Sequence, residues 1–163
     1  MQVVSHSPAE TQALGAALAA LLQPGDVILL HGDLGAGKTE LVRGLAVGLG
    51  LPPEQISSPT FALIHEYPGK LLLVHVDLYR LPTVADDFLL ELEDYWQRPV
   101  VTVIEWAERL QDAAPEEYLD ISLQWLAPET RAISIVGYGR RGEDLAQACR
   151  GLAAVRERPE NQV

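Results

Sequence analysis

The chain has 163 residues, the usual length of one domain, and 48% of them are hydrophobic, which is enough for a core. Its net charge of −11 repels a phosphate backbone, so we expect no strong independent binding of nucleic acid. The single cysteine, Cys149, excludes an internal disulfide and agrees with a reducing, cytoplasmic location. No lysine or arginine precedes Lys38 and the apolar run at residues 16–22 is short, so we expect neither a signal peptide nor a membrane span.

The first predicted elements are an edge strand over residues 1–5 and a helix from Ser7 to about Leu22. Ser7 is a suitable N-cap, Pro8 fits the first helical position, and Glu10 completes a capping box. Apolar residues are expected to line the inward face of this helix, namely Ala13, Leu14, Ala17, Leu18 and Leu21.

The next stretch carries the central motif of the chain. Residues 32–39, with the sequence G-D-L-G-A-G-K-T, fit the phosphate-binding pattern G-x-x-x-x-G-K-[ST]. A short buried-strand pattern at residues 27–30 precedes the motif, and a helical pattern over residues 40–49 follows it. Strand, glycine loop and helix are the context that this motif requires, so we predict a phosphate-binding loop.

The residue types of this loop explain its chemistry. Gly32, Gly35 and Gly37 permit backbone conformations that a side chain forbids, so that N–H groups can turn inward on a phosphate. The N-terminus of the following helix adds its dipole. Lys38 supplies a mobile cation for the outer phosphates, and Thr39 offers a hydroxyl to Mg²⁺.

A β-hairpin is predicted after this helix, which Gly50 caps. Residues 51–60 show no hydrophobic periodicity. Strands are expected over residues 61–67 and 70–77, with a Pro-Gly turn between them. Residues 83–96 are acidic and predicted to form two short helical pieces.

The remaining elements are a buried strand over residues 99–105 and a short exposed helical stretch from residue 108 to about 115. An antiparallel hairpin follows, with half-buried strands over residues 118–125 and 131–136. The chain is predicted to end in a helix over residues 142–155 and a polar, disordered tail over residues 156–163, so that residues 1–155 form the domain.

Two acidic residues stand at the ends of predicted strands, Asp77 and Glu105. In an open α/β sheet, ligands bind beyond the carboxyl ends of the strands, where an acid can hold Mg²⁺ or orient water. The alternative is that each acid only caps or solvates the turn that follows. His75 lies on the same strand face as Asp77 if the strand is regular, either as a packed histidine or as a base.

Other residues near these strand ends have two interpretations each. The S-P-T stretch at residues 58–60 lies where a nucleotide switch segment is usual, and Thr60 either senses the γ-phosphate or belongs to a plain turn. Arg80 either reaches a phosphate or forms a salt bridge. Trp106 either walls the site beside Glu105 or is an ordinary buried aromatic residue.

These motifs resemble, in their order, those of the bacterial TsaE family, also known as YjeE. The resemblance rests on the phosphate loop, S-P-T-F at residues 58–61, H-V-D-L-Y-R-L at residues 75–81 and I-E-W at residues 104–106. It runs from about Ser5 to Gly139. The phosphate loop is generic, whereas the D-L-Y-R-L and E-W pieces in this order are specific to the family.

The resemblance implies a single-domain α/β P-loop NTPase fold, with a mixed β-sheet flanked by helices and antiparallel hairpins. It implies a Mg²⁺-dependent ATPase, weak alone, that acts with the TsaD and TsaB proteins in the tRNA threonylcarbamoyladenosine machinery. TsaD transfers the threonylcarbamoyl group to the adenosine beside the anticodon in tRNAs that read codons beginning with A. The ATPase resets the complex, and the tRNA is held mainly by the partners.

The resemblance also implies roles for individual residues. Lys38, Asp77 and Glu105 are the catalytic residues, and Thr39 and Glu105 hold Mg²⁺. The nucleotide-binding positions are Gly32, Asp33, Leu34, Gly35, Ala36, Gly37, Lys38, Thr39, Glu40, Thr60 and, near the base, Arg131. Two positions depart from the family pattern, because Glu40 replaces the usual Thr or Ser and Glu91 replaces a usual Gly.

Two other classes of protein compete with this interpretation. A small-molecule or nucleotide kinase needs an arginine-bearing lid, and Arg80, Arg98 and Arg109 are scattered along the chain. A GTP-dependent switch usually needs N-K-x-D for guanine, and neither of the two lysines, Lys38 and Lys70, lies in such a motif.

Overall fold

The centre of the structure is a mixed β-sheet. In this computed structural model the described residues are 1–57 and 63–156, and within them the sheet has seven strands. In chain order these are β1 (Gln2–Ser5), β2 (Val27–His31), β3 (Ile64–Pro68), β4 (Leu72–Asp77), β5 (Val100–Glu105), β6 (Tyr118–Ala127) and β7 (Thr130–Tyr138). Their order across the sheet is β1-β7-β6-β2-β5-β4-β3. The predicted mixed sheet and both predicted hairpins are therefore confirmed.

Parallel pairing at the centre of the sheet determines which strand ends meet. β2 pairs in parallel with both β5 and β6, and β5 pairs in parallel with β4. The antiparallel pairs β1–β7, β6–β7 and β3–β4 lie to either side. The carboxyl ends of β2, β4 and β5 therefore share one edge, which is the edge where open α/β sheets bind ligands.

Helices cover both faces of the sheet. They are α1 (Pro8–Ala19), α2 (Lys38–Gly48), α3 (Asp86–Trp96) and α4 (Gly139–Arg156), with 3₁₀ segments at Pro53–Gln55 and Ala107–Ala113. One apolar cluster joins α1, α2 and α4 to one face, and a second joins α3 and the segment Ala107–Ala113 to the other. None of the helices formed by residues 1–57 and 63–156 has the length and apolar character needed to cross a membrane.

The start of α1 follows from its sequence. Ser7 Oγ accepts a hydrogen bond from the backbone N–H of Glu10 at 3.1 Å, as predicted for an N-cap. The Glu10 carboxylate accepts from the backbone N–H of His6 at 2.7 Å, one residue earlier than in the standard capping box. The Ser7 side chain thus satisfies one of the backbone donors that the first turn of a helix leaves unpaired, and Glu10 binds the backbone just before the cap.

Some predicted helix limits were wrong. α1 ends at Ala19 instead of Leu22, because the N–H groups of Leu21 and Leu22 bond to carbonyls three residues back in a tighter turn. The last helix begins at Gly139 instead of residue 142, because the positive φ of 71° at Gly139 turns β7 directly into α4.

The segments around α3 also differ from expectation. Residues 83–96 contain one helix instead of the two short pieces that were predicted. It starts at Asp86, and the two acidic residues of its first turn stabilise it by interacting with the positive end of the helix dipole. The segment after β5 was predicted to be exposed, yet it buries Ala107 and Leu110 in the second apolar cluster. Residues 58–62 and 157–163 lie outside the described part of the chain. The start of the strand predicted over residues 61–67 and most of the predicted tail therefore fall there. The domain boundary at residue 155 stays a prediction.

α1 and α2 cross closely at glycine residues. A Cβ atom added at Gly15 would overlap the carbonyl oxygen of Leu41, and one added at Gly44 would overlap the carbonyl oxygen of Gln12. The two backbones are therefore in contact, and the glycines form the crossing. The inward face of α1 is centred on Gly15 for this reason, and Ala13, which was predicted to face inward, is exposed.

We expect the substitution Gly44→Ala to lower the free energy of unfolding by about 1–3 kcal/mol, because the added methyl group forces the two helices apart. Intrinsic helix propensity alone would predict a gain of up to about 1 kcal/mol. Urea denaturation measures the difference. The matched control is Gly151→Ala in α4, where an added Cβ atom meets nothing within 4 Å; similar results for the two variants would contradict this account.

Candidate functional site

The glycine loop adopts the backbone that its sequence predicts. Gly32, Gly35 and Gly37 have φ values of 149°, 79° and 101°, which side chains disfavour. A Cβ atom at Gly32 would also approach the carbonyl oxygen of Leu123 to 2.7 Å. α2 begins at Lys38 with no side-chain cap from the described residues, so backbone N–H groups of its first turn face the loop.

Lys38 is held inside this loop. Its Nζ donates a hydrogen bond to the carbonyl oxygen of Gly32 and lies 3.7 Å from the centroid of the Trp106 ring. Burial lowers the pKa of the Lys38 ammonium, and the carboxylate of Glu105 opposes that shift. The structure thus places the ammonium group at the glycine loop, held by a carbonyl oxygen and an aromatic ring.

Trp106 lines the cavity beside the glycine loop and also packs against the second apolar cluster, so it combines features of both interpretations. Its backbone has a φ of 57°, a left-handed conformation that is uncommon for a residue with a side chain. The ring contacts the ring of Tyr79, with 5.0 Å between the centroids, and Tyr79, Trp106 and Lys38 all line the cavity. The turn after β5 therefore directs an aromatic face at the lysine.

The two acidic strand ends are neighbours. Asp77 and Glu105 are register partners on the parallel strands β4 and β5, and both side chains are almost fully buried. The hydroxyl of Thr39 donates to Glu105 Oε1 at 3.4 Å, which links the carboxylate to the start of α2. The structure thus brings together the lysine, the hydroxyl and both acids that the sequence predicted.

Asp77 is suited to a role in proton transfer or water positioning. Burial raises the pKa of its carboxyl group, and the adjacent Glu105 carboxylate raises it further. Asp77 Oδ1 accepts the backbone N–H of Tyr79 at 2.9 Å, which fixes the carboxylate at the strand end. A carboxylate with a raised pKa at a ligand-binding edge is a reasonable general base.

These residues surround a cavity of about 410 Å³. It is lined by the glycine loop, the start of α2 and the ends of β4 and β5, through Leu34, Gly35, Ala36, Gly37, Lys38, Thr39, Glu40, Asp77, Tyr79, Glu105, Trp106 and Arg131. The volume falls in the range of small-molecule sites. Its mixture of cation, hydroxyl, carboxylates and backbone donors fits a phosphorylated ligand.

Arg131 ties the loop to the β6–β7 hairpin. Its Nε and Nη2 atoms donate to the carbonyl oxygens of Ala36 and Gly35 at 3.0 and 3.1 Å. Its Nη1 atom donates to the carbonyl oxygen of Ala127 at 2.8 Å. The guanidinium group therefore anchors the outer side of the loop, while the predicted position of Arg131 near a base stays a prediction.

The remaining predicted loop residues differ in what they offer. The Glu40 carboxylate accepts from Gln12 Nε2 at 2.6 Å and pairs with Arg43, so its charge already has partners within the protein. Leu34 is 78% exposed at the tip of the loop. The backbone carbonyl of Asp33 accepts from the N–H of Ala36 at 3.0 Å and closes the turn. Thr60 lies outside the described residues.

Thr39 and Glu105 have the donor types that suit Mg²⁺. Within residues 1–57 and 63–156, no cluster of three or more His, Cys, Asp or Glu side chains has the arrangement of an all-protein metal site. Mg²⁺ is usually bound by one or two carboxylates together with substrate phosphates and waters. A hydroxyl and a carboxylate 3.4 Å apart beside a phosphate loop fit that pattern.

The carboxylate partners of two histidines were not predicted from the sequence. His75 Nε2 lies 2.6 Å from Glu105 Oε2, and His31 lies between two carboxylates, those of Asp120 and Glu108. Each contact joins residues that are far apart in the chain. The spacing of His75 and Asp77 was the only available signal, because it placed both on one strand face.

The strand, glycine loop and helix at the parallel centre of a mixed sheet define an α/β protein with a phosphate-binding loop. The family model of the threonylcarbamoyl adenosine biosynthesis protein TsaE matches residues 5–133. The chain therefore belongs to the TsaE family, and the resemblance noted in the sequence is confirmed.

Individual relatives agree with this assignment. The tRNA threonylcarbamoyladenosine biosynthesis protein TsaE of Treponema pallidum is 43% identical over 83% of this chain and 99% of that protein. The protein of the same name from Bacillus subtilis is 39% identical over 86% of this chain and 88% of that protein. The crystal structure of Bacillus subtilis YdiB is 33% identical, with a TM-score of 0.78 over 94% of this chain and 95% of that one.

The bridge at His31 yields a prediction on pH. His31 Nε2 lies 2.8 Å from Asp120 and Nδ1 lies 3.2 Å from Glu108, and the hydrogen bond to Asp120 raises the pKa of the imidazole above 6.5. A raised folded-state pKa means that the bridge stabilises the fold below about pH 6.5 and loses this effect as pH rises through the folded-state pKa.

We therefore expect wild type and His31→Gln to differ more in unfolding free energy at pH 6 than at pH 8.5. The expected change in this difference is about 1 kcal/mol or less, because the pair is partly exposed. Urea denaturation at the two pH values gives the comparison, with Asp120→Asn as a second way to break the bridge. A difference that is independent of pH would contradict the assignment.

Proposed function

We propose that this protein binds and hydrolyses Mg²⁺–ATP to support the threonylcarbamoyl modification of tRNA. The observation that carries the proposal is the convergence of Lys38, Thr39, Asp77 and Glu105 on one cavity beside the glycine loop. The names of its relatives supply the tRNA pathway. ATP is proposed as the substrate because the loop pattern and the cavity suit a nucleoside triphosphate.

The chemistry assigned to each residue follows from its position. Backbone N–H groups of the loop and the Lys38 ammonium balance the charge of the phosphates. Thr39 and Glu105 would hold Mg²⁺, which supplies further neutralisation of phosphate charge when bound. Asp77 orients the attacking water and accepts its proton, a role that suits its buried carboxylate.

The partners in this proposal are the TsaD and TsaB proteins. TsaD performs the transfer to the adenosine beside the anticodon, in tRNAs that read codons beginning with A, and ATP hydrolysis by this chain resets the complex. The net charge of −11 supports an indirect contact with tRNA, because an acidic protein gains nothing from a phosphate backbone. A role in tRNA modification implies a cytoplasmic location.

We expect Lys38→Ala and Glu105→Ala each to lower ATP turnover at least 100-fold, because each removes a group that stabilises charge in the transition state. Phosphate release by the protein with its partners and tRNA provides the measurement. Lys70→Ala is the matched control, since Lys70 is the other lysine and is exposed far along the chain from the loop. Full activity of either site variant would refute the assignment of that residue.

We also expect the isolated chain to hydrolyse ATP more slowly than about 1 s⁻¹, because Arg131, the arginine of the cavity lining, donates to backbone carbonyl oxygens through all three of its guanidinium nitrogens. The assay compares ATP with GTP, with and without the partner proteins and tRNA. Transfer to a small acceptor without partners would favour a kinase instead. A strong preference for GTP would favour a nucleotide switch.

A further inference from the structure

His75 lies in the interior beneath the proposed nucleotide site. It is 0% exposed, in the middle of β4, on the strand face that also carries Asp77. Its neighbour in register on β5 is Val103, and Leu73 lies on the same face of β4. An apolar side chain would suit such a position, so a histidine here has a cost that calls for a polar partner.

The polar partner of His75 is Glu105. Nε2 lies 2.6 Å from Glu105 Oε2, and both side chains are buried. A carboxylate that binds Mg²⁺ only accepts hydrogen bonds, so in the proposed metal site the donor of this pair is Nε2. The other ring nitrogen, Nδ1, has no hydrogen-bond partner among residues 1–57 and 63–156. Within that part of the chain, the hydrogen bond to Glu105 is therefore the only one made by the imidazole ring of His75.

The two oxygens of Glu105 have different partners. Oε2 accepts from His75 on β4, whereas Oε1 accepts from Thr39 at the start of α2. A glutamate carboxylate otherwise rotates freely about its last side-chain bond, since that torsion has a broad, roughly two-fold profile. A donor on one oxygen fixes the plane of the carboxylate and leaves the second oxygen directed at Thr39 and the cavity.

We infer that His75 is a positioning residue that holds the Glu105 carboxylate in the orientation needed to bind Mg²⁺ together with Thr39. The inference rests on the proposed function, because it assigns a support to the proposed metal ligand. His75 itself lies outside the cavity lining, so it acts only through Glu105. Donors that orient metal ligands in this way commonly change metal affinity 10- to 100-fold.

The test compares His75→Gln with His75→Leu. Glutamine places an amide N–H close to the position of Nε2 and retains the donor, whereas leucine has a similar size and no donor. Calorimetry measures the affinity of each protein for a non-hydrolysable ATP analogue, once with Mg²⁺ and once with EDTA. The ratio of the two affinities is the effect of Mg²⁺ on binding, and it does not depend on turnover.

We expect His75→Leu to lose about 10- to 100-fold of the Mg²⁺-dependent gain in affinity while its affinity in EDTA stays within about 2-fold of wild type. His75→Gln should recover most of the loss. Electron paramagnetic resonance of Mn²⁺ with the same analogue gives a second readout of metal binding. A similar Mg²⁺ effect in wild type and His75→Leu would overturn the inference, and so would an equal loss of affinity with Mg²⁺ and with EDTA.

If His75→Leu does not fold, His75→Asn replaces it, because the shorter amide reaches the position of Nδ1 and not that of Nε2. The inference then requires Asn to lose the Mg²⁺ effect and Gln to keep it, and equal behaviour of the two would overturn it. The wild-type measurement distinguishes a failure of the role of His75 from a failure of the proposed function. Wild type that binds the analogue without any effect of Mg²⁺ refutes the proposed function itself.

Discussion

The parallel register of three strands is the constraint on which the site depends. β2 ends at the first residue before the glycine loop. β4 and β5 end beside the loop, with Asp77 and Glu105 opposite each other in the strand register. Two carboxylates in such a position repel each other and lose water, as the raised pKa of Asp77 reflects. The hydrogen bonds between the strands and the apolar packing on both faces of the sheet stabilise the fold enough to keep the two carboxylates close together. Their proximity by itself is unfavourable.

The second constraint is the position of α2, which carries Lys38 and Thr39. This helix lies directly on α1 through glycines whose missing side chains allow the two backbones to touch. Backbone contact leaves little freedom for sliding or rotation, because interiors are packed as densely as organic crystals. The N-terminal turn of α2 is therefore fixed relative to the strand ends, although α1 itself contributes no side chain to the lining of the cavity.

Much of the fold and of the site could be predicted from the sequence. The glycine loop has a pattern and flanking elements that specify it locally, and the acids at residues 77 and 105 were recognisable because they ended apolar strands. The helix limits were less certain, since the turn at residues 20–22 and the early start of α4 depend on single backbone bonds. Local pattern thus identified the elements and the residues that the structure brings together at the cavity.

The contacts that support the site could not be predicted in the same way. The hydrogen bond from His75 to Glu105 depends on the pairing of β4 with β5, and the bonds from Arg131 to Gly35 and Ala36 join residues almost a hundred positions apart. Spacing along one element says nothing of register between two elements. The inward glycine of α1 was missed for the same reason, because a missing side chain gives no hydrophobic signal.

The contact between Lys38 and Trp106 has a consequence for selectivity. The ammonium group already has two partners within the protein, the carbonyl oxygen of Gly32 and the face of the indole ring. A ligand must therefore compete for the cation, and it succeeds only if its own negative charge outweighs a carbonyl dipole and a cation–π contact of about 0.5–2 kcal/mol. For the proposed nucleotide site, this competition favours polyphosphates, with their high charge density, over neutral metabolites and weak monoanions.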